Sequence, residues 1–311
     1  MTGKAAASLL LSNDGFLILT HLNPDGDTIG SASALCSALR RSGKTAYLYS
    51  NPQISDIYRS FIPGDYFAPD DYSPDYIIAV DIADIQLFPM NFSGRVDFCV
   101  DHHPSNRHYA KNLLLDANRS SCGEIVYKLI LSMGIELNEA EATFLYMALS
   151  TDTGCFKYKN TNSASFLAAS KYAAAGADVF KVNKLFFNTK TSRRISLEGI
   201  VYSGIEYAYS GRFAVGSVSL ADIASSGAEE SDLDNLAGLV SCISGTEITA
   251  LIRETQPGIC KVSLRSDIMD CSEICCNFGG GGHRAAAGFT IHSAPAQTKA
   301  VLIDVLEGYM K

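Results

Sequence analysis

Four short segments carry carboxylates and imidazoles in numbers that suit metal chemistry. THLNPDGDTIG holds His21, Asp25 and Asp27, AVDIAD holds Asp81, VDHHPSN holds Asp101, His102 and His103, and STDTG holds Asp152. Asp25, Asp27, Asp81 and Asp152 brought together would repel one another unless protonated or bound to cations. Carboxylate and imidazole ligands without thiolate suit Mn²⁺, Mg²⁺ or Fe²⁺ better than structural zinc. Four carboxylates with two imidazoles exceed what one ion with open positions needs. Two ions about 3.5–4 Å apart, sharing a bridging carboxylate, fit that count and are a known arrangement for phosphoryl hydrolysis. Each piece alone has a plainer reading. An Asp after a strand is commonly a helix cap, Asp84 is expected to be such a residue, and NPDGD alone could be a solvated turn. Matching chemistry after three separate strands is what favours a site.

For these segments to meet, they must end neighbouring strands. Residues 15–21 (GFLILTH), 45–50 (TAYLYS), 75–84 (DYIIAVDIAD) and 95–103 (RVDFCVDHH) read as strands. Residues 28–43 read as a helix, with Gly43 just past its end, and 123–134, 138–154, 162–176 and 178–187 have helical periodicity. The alternation predicts an α/β domain with a mostly parallel sheet covered on both faces. The carboxyl ends of such strands form the ligand crevice. Neighbours on an extended backbone point in opposite directions, so His102 and His103 are expected to do different jobs. Ser120 and Ser121 in NRSSCGE are expected to cap the helix that follows. Near residue 190 the pattern changes. SRRISLEGIVYSGIEYAY reads as a linking helix. RFAVGSVS, EITALIRET and ICKVSLRS read as antiparallel-type strands, then come GGGGHR, the strand FTIHS and an amphipathic last helix. The expected division is a first domain over 1–188, a linking helix over 189–210 and a smaller α/β domain with a mixed sheet over 211–311.

Composition narrows the function. The chain has 311 residues, 47% hydrophobic, with a net charge of −8. A protein that grips long duplex nucleic acid usually carries a basic face, so few phosphates should be touched, or metals should help, although a local basic patch is compatible with the total. No apolar run reaches about 18 residues, so no membrane span is expected. AAASLLL near the start is read as part of an amphipathic first helix, not a signal peptide. Nine scattered cysteines read as buried free thiols of a reducing cytoplasm. CSEICCNF with His283 matches no common zinc spacing. The glycine run is not a Walker loop, since no Gly-Lys-Ser/Thr follows. Its N–H groups could face an anion, and Arg265 in VSLRS adds a charged fork suited to phosphate.

In this order and at these separations, HLNPDGDTIGS, VDIAD, VDHHPSN and STDTG resemble the four motifs of DHH phosphoesterases, and FGGGGHRAAAGF (278–289) resembles the signature of their DHHA1 domain. The resemblance spans residues 15 to 290. Length and domain content resemble the branch that degrades very short RNA and dephosphorylates 3′-phosphoadenosine 5′-phosphate. The resemblance implies that His21 and Asp25 hold one metal, that Asp27, His102 and Asp152 hold the other, and that Asp81 bridges them. It implies two divalent ions, Mn²⁺ first and Mg²⁺ as the alternative. His103 would meet substrate phosphate as hydrogen-bond donor or general acid, with Asp101 fixing an imidazole. Gly280, Gly281, Gly282, His283, Arg284 and Arg265 would hold substrate, placing the active site in a cleft between the domains. The implied partner is a short RNA or a nucleotide bisphosphate, and pairing into a homodimer is compatible with the resemblance. A phosphodiesterase for linear or cyclic dinucleotide signals is the alternative, and an inactive nucleotide-binding sensor a further one, disfavoured because every expected ligand is present.

Overall fold

Short apolar runs alternating with helices build the first of two units, Met1–Thr189; the second begins at Lys190. The computed structural model describes residues 1–233 and 235–310. The first unit runs α1 (Gly3–Leu11), β1 (Phe16–Leu19), α2 (Gly26–Arg41), β2 (Ala46–Leu48), α3 (Asp56–Arg59), β3 (Tyr76–Val80), β4 (Phe98–Asp101), β5 (Asn112–Leu115), α4 (Cys122–Ser132), α5 (Glu139–Asp152), α6 (Ser163–Ala174) and α7 (Val179–Phe187). Its sheet has the order β2-β1-β3-β4-β5 with every pair parallel. Strand β5 was not anticipated; it is a short edge strand whose residues are mostly half-buried, so it lacks a core-like apolar run.

Alternate strand residues divide between two cores, as the pleat requires. Phe16, Ile18, Ile78, Val80, Phe98 and Val100 pack with residues of α1, α2, α4 and α5. Leu17, Leu19, Ala79 and Cys99 face the other way, against Tyr49, Tyr72, Phe88, Phe92 and Tyr109 from the connecting loops. Helix α2 lies so close to α5 that a Cβ at Gly30 would fall 2.2 Å from the carbonyl oxygen of Phe144. A backbone atom cannot swing aside, so Gly30→Ala should cost about 3 kcal/mol, the upper part of the range for overpacking. Urea unfolding of the variant measures this directly, and an unchanged midpoint would contradict the helix contact.

The second unit runs α8 (Ser192–Ser203), β6 (Glu206–Ala208), β7 (Phe213–Val218), α9 (Leu220–Ser226), α10 (Ala237–Ser241), β8 (Ile248–Gln256), β9 (Ile259–Arg265), α11 (Cys271–Cys276), β10 (Gly281–His283), β11 (Ala286–Ile291) and α12 (Pro295–Leu306). Its six strands are ordered β10-β11-β9-β8-β7-β6. All pairs are antiparallel except β7 with β8, which is parallel. The sheet is mixed, as expected, although the segments of β7 and β8 had each read as antiparallel-type: the connection between them is long enough to carry α9 and α10 across and return in the same direction. The helical stretch expected to link the domains is α8, which packs within this unit through Leu197 and Val201. Cys242 and Cys276 are exposed, correcting the expectation that the thiols are buried; all nine cysteines are free. Among the described residues no helix is long and apolar enough to cross a membrane.

Candidate metal centre

A parallel sheet ordered 2-1-3-4-5 has its topological switch point between β1 and β3, and ligands bind outside the carboxyl ends of the strands there. His21, Asp25 and Asp27 lie in the connection from β1 into α2, and Asp81 directly follows β3. Asp101 is the last residue of β4, with His102 and His103 next, and Asp152 is the last residue of α5. Ligand-type atoms of His21, Asp25 and Asp81 lie within 4.8 Å of one another, as do those of Asp27, His102 and Asp152. Asp81, His102 and His103 form a third such group.

Backbone carbonyls orient two of the imidazoles. His21 Nδ1 lies 2.7 Å from Leu22 O and His102 Nδ1 3.1 Å from Arg119 O. A carbonyl only accepts, so each Nδ1 carries the proton and each Nε2 is free to act as a ligand. His21 Nε2 stands 3.5 Å from Asp25 and 3.8 Å from Asp81. His102 Nε2 stands 3.5 Å from Asp81, 3.6 Å from Asp27 and 3.9 Å from Asp152. These separations are longer than hydrogen bonds. His103 differs: its Nδ1 lies 2.8 Å from Asp101 Oδ1, which also accepts the main-chain N–H groups of His102 and His103. Asp101 Oδ2 accepts from Asn106 at 2.6 Å. Burial pushes the Asp101 carboxyl upward, but the His103 and Asn106 hydrogen bonds outweigh it and hold it below its usual range.

The N-terminal turns of two helices are built from the same acidic residues. Asp25 caps α2 by accepting from the N–H groups of Asp27 and Thr28, so the helix starts two residues before the expected Thr28. Asp27 accepts the N–H groups of Cys122 and Gly123 at 2.7 and 3.0 Å, at the start of α4. This corrects the expectation for Ser120 and Ser121. Ser121 makes no cap bond, and the Ser120 hydroxyl pairs with Ser165 and Asn160 O. A carboxylate is the stronger partner for the positive end of a helix. Asp84, as expected, caps a single turn over Ile85–Leu87.

Three observations fit this cluster to cations. The first is the donor set, all carboxylate and imidazole. The second is Asp81 Oδ1, which is buried without a hydrogen-bond partner, a costly state for a carboxylate. Asp81 also has φ of 61°, in the left-handed region that non-glycine residues seldom adopt. The third is charge. Burial, then Asp152 and Asp25, push the Asp27 carboxyl well above its usual range. Burial, then Asp27 and Asp25, do the same to Asp81. Burial raises Asp152 to about 6, with His102 opposing and Asp25 reinforcing.

These shifts have a sign. A carboxyl raised in the folded state contributes stability that is present below its unfolded value, near 4, and lost as pH rises through the folded value. Asp27, Asp81 and Asp152 therefore weaken the metal-free fold increasingly from about pH 4 through 6 and beyond. His21 acts in the same direction. Burial lowers it, but the neighbouring Asp25 carboxylate prevails and raises it, so its contribution fades as pH climbs past 6.5. Asp25 and Asp101 are lowered, so their losses fall below about pH 4, outside this window. A divalent cation in the cluster should relieve the repulsion, so the rise in melting temperature on adding Mn²⁺ should grow from pH 5 to pH 8. Thermal scans in EDTA and in Mn²⁺ test this; a shift independent of pH would count against cation binding here.

In the second unit, His283, Ala286 and Arg265 line up in register across β10, β11 and β9. With only alanine between them, His283 and Arg265 share one face of the sheet. His283 and Arg284 are exposed and Arg265 is half-buried. The expectation that the glycine run offers a row of free N–H groups is corrected at Gly280, whose N–H donates to Cys275 O. A Cβ there would meet Gly288 O at 2.3 Å, so this glycine serves close packing of the hairpin. At Gly282 a Cβ would meet Ala286 O at 2.7 Å, whereas Gly281 has open space. Two further side chains, Asn106 and Asn160, support the cluster from outside the expected set. Asn106 lies inside VDHHPSN, so its place in the motif was the available signal. Asn160 donates to Asp152 O at 3.1 Å from eight residues downstream, with no motif to mark it. The carbonyls of Leu22 and Arg119 leave no side-chain trace at all.

The site and fold define the class. The DHH family N-terminal domain model matches residues 15–149, and the DHHA1 domain model matches residues 211–311. The chain belongs to the DHH phosphoesterase family. Among its relatives is the bifunctional oligoribonuclease and PAP phosphatase NrnA of Thermus thermophilus, 28% identical over 303 residues, which cover 93% of this chain and 88% of that protein. The protein of the same name from Bacillus subtilis is 26% identical over 295 residues, covering 90% of each. The crystal structure of an exopolyphosphatase-related protein from Bacteroides fragilis has the same fold, with a TM-score of 0.87 at 22% identity, covering 99% of this chain and 96% of that one.

Proposed function

We propose that this enzyme degrades short oligoribonucleotides to nucleoside 5′-monophosphates and dephosphorylates 3′-phosphoadenosine 5′-phosphate to AMP, using two divalent cations. The observation that carries the reading is Asp81: a buried carboxylate with one unpartnered oxygen, shared between two groups of ligand-type residues. The names of the Thermus and Bacillus relatives support the substrate choice. In this reading His21 and Asp25 hold one ion, Asp27, His102 and Asp152 hold the other, and Asp81 serves both. Mn²⁺ is the preferred ion and Mg²⁺ the alternative. Bound cations supply Lewis acidity, neutralising charge on the phosphoryl oxygens and making water more acidic.

The chain's own residues supply the rest. Asp101 fixes the His103 ring, leaving Nε2 free beside the cluster. The His103 imidazolium gives its Nε2 proton to the departing 3′-oxygen as the oxygen of the attacking water bonds to phosphorus and that water releases a proton to solvent. In RNA the bond broken joins phosphorus to the neighbouring 3′-oxygen. In the bisphosphate it joins the 3′-phosphate to the ribose. Residues 1–188 carry this chemistry, 189–210 form the link and 211–311 hold substrate through Arg265, His283 and Arg284. Among Gly280, Gly281 and Gly282, only Gly281 leaves room for close approach, which supports it as the contact point.

One assay panel in Mn²⁺ tests the reading. It follows RNA dimers to pentamers, a long RNA, 3′-phosphoadenosine 5′-phosphate and a cyclic dinucleotide. Fast turnover of the short RNAs and the bisphosphate is expected. Preference for the long RNA or the cyclic compound would overturn the substrate assignment while leaving the metal chemistry in place.

A further inference from the structure

The chain is acidic, but one stretch is not. From residue 153 to 189 there are five lysines and a single carboxylate, Asp178, in a protein of net charge −8. The stretch begins immediately after Asp152. The segment from 153 to 160 leaves α5 and returns to it, because Asn160 donates to Asp152 O and also to Ser120 O. It therefore stays beside the metal centre.

Three aromatic side chains on this stretch, Tyr158, Phe166 and Phe180, are turned outward. Tyr158 is 54% exposed, and its ring sits on Gly154, where a Cβ would fall 2.4 Å from it. Phe166 is 58% exposed and stacks on Phe156 with centroids 5.3 Å apart and planes 22° apart, so one face is backed and the other open. Phe180, on α7, is 75% exposed. Cys155 Sγ lies 3.7 Å from Asn183 Oδ1, tying the segment to α7. There Asn183 lines a groove of about 680 Å³ together with Val179, Phe180, Lys184 and Asn188. Lys184 Nζ lies 5.7 Å from the Phe180 ring centre. Among the described residues no carboxylate oxygen lies within 4 Å of the Lys157 or Lys184 ammonium. Ordinary surface lysines in an acidic protein have carboxylates nearby; Lys184 has the open Phe180 ring instead.

Exposed aromatic faces at Tyr158, Phe166 and Phe180, with the Lys157 and Lys184 ammoniums on the same stretch, are what single-stranded nucleic acid requires: bases stack and phosphates pair, without dependence on sequence. We propose that residues 153–188 form a track for single-stranded RNA, which leads from the metal centre over Tyr158 to the Phe180–Lys184 groove and holds the nucleotides beyond the one being released. This rests on the proposed oligoribonuclease reading and extends it. A nucleotide bisphosphate ends before the track, whereas a trimer or pentamer lies along it. The track would make RNA length a determinant of affinity.

Binding of a fluorescein-labelled RNA pentamer to the full chain, followed by anisotropy in EDTA so that nothing is cleaved, tests the track without relying on catalysis. Tyr158→Ala and Phe180→Ala should each weaken binding about tenfold, the effect of removing one stacking surface. Lys157→Ala with Lys184→Ala should flatten the dependence of log Kd on log salt by about 0.7 per lysine. All sites are exposed, and circular dichroism checks that each variant folds. Wild-type protein that does not bind the pentamer, or variants that bind it as wild type does, would overturn the proposal. So would variants that change the sedimenting mass and leave RNA affinity alone, which would make this face an interface between copies of the chain. Parallel turnover in Mn²⁺ separates the two readings. If the wild type binds the pentamer along the track but hydrolyses neither RNA nor the bisphosphate, the proposed function fails and the track stands. If it hydrolyses both and the ratio of kcat/KM for pentamer over bisphosphate is the same in every variant, the function stands and the track fails.

Discussion

Asp81→Asn is expected to lower kcat on RNA dimers and on the bisphosphate by at least about a thousandfold, while raising the melting temperature of the metal-free protein. The two effects have one cause. Asp81 Oδ1 is buried and unpartnered, and the Asp27, Asp25, Asp101 and Asp152 carboxylates surround it. Without a cation this carboxylate is a defect, and the amide removes its charge. Asn also tolerates the left-handed backbone that Asp81 adopts, so little strain is added. In the proposed two-cation site the same substitution would weaken the hold on both ions. Losing about 4 kcal/mol of transition-state stabilisation corresponds to the thousandfold drop. Calorimetry in EDTA and in Mn²⁺ checks the stability half. The gain over wild type in EDTA should increase from pH 5 to pH 8, and the response to Mn²⁺ should shrink. A variant that is less stable than wild type without metal, or that keeps wild-type kcat, would refute the role given to Asp81.

The parts of this molecule that were legible in the sequence are those where one property decides the structure. Apolar runs ending in ligand-type side chains mark β1, β3 and β4, because a buried parallel strand needs continuous apolar residues and its carboxyl end needs none. The gathering of His21, Asp25, Asp27, Asp81, His102 and Asp152 follows from three such ends lying side by side at the switch point, with α5 returning Asp152 to them. Strand β5 escaped because an edge strand makes weaker demands on its residues. The parallel pairing of β7 with β8 escaped because pairing direction depends on what the connection does, and strands of either kind look alike in composition. The capping of α4 escaped for a related reason. Ser121 has the right type and position for a local cap, but Asp27 arrives from 95 residues away and takes the N–H groups. Local propensity describes what a residue can do, and tertiary contacts decide which of several able residues does it. The Leu22 and Arg119 carbonyls that fix the imidazoles are the extreme case, since any residue type could supply them.

His103→Ala should separate proton donation from metal binding. The two histidines have different surroundings, which fits the different duties proposed for them: His102 turns Nε2 towards Asp27, Asp81 and Asp152, whereas His103 is tied through Nδ1 to Asp101. Its removal should leave the thermal shift on adding Mn²⁺ intact and lower kcat on RNA by about a hundredfold to ten-thousandfold, the usual worth of a general acid. The leaving group decides the interpretation. A ribose 3′-oxygen departs as a strong base and needs the proton, whereas p-nitrophenolate departs without one. The p-nitrophenyl ester of thymidine 5′-phosphate should therefore lose little in the variant while RNA loses much. Asp101→Asn should move in the same direction. The amide cannot accept at the same time from two main-chain N–H groups, the His103 ring and Asn106, so the imidazole loses its fixed orientation. Equal losses on both esters would show that His103 stabilises the phosphoryl group in the transition state whatever the leaving group, and the proton would then have to come from water. An unaltered rate on RNA would remove His103 from the reaction altogether. Unequal losses make the division of labour between the adjacent histidines a chemical one, with the first holding a metal and the second a proton.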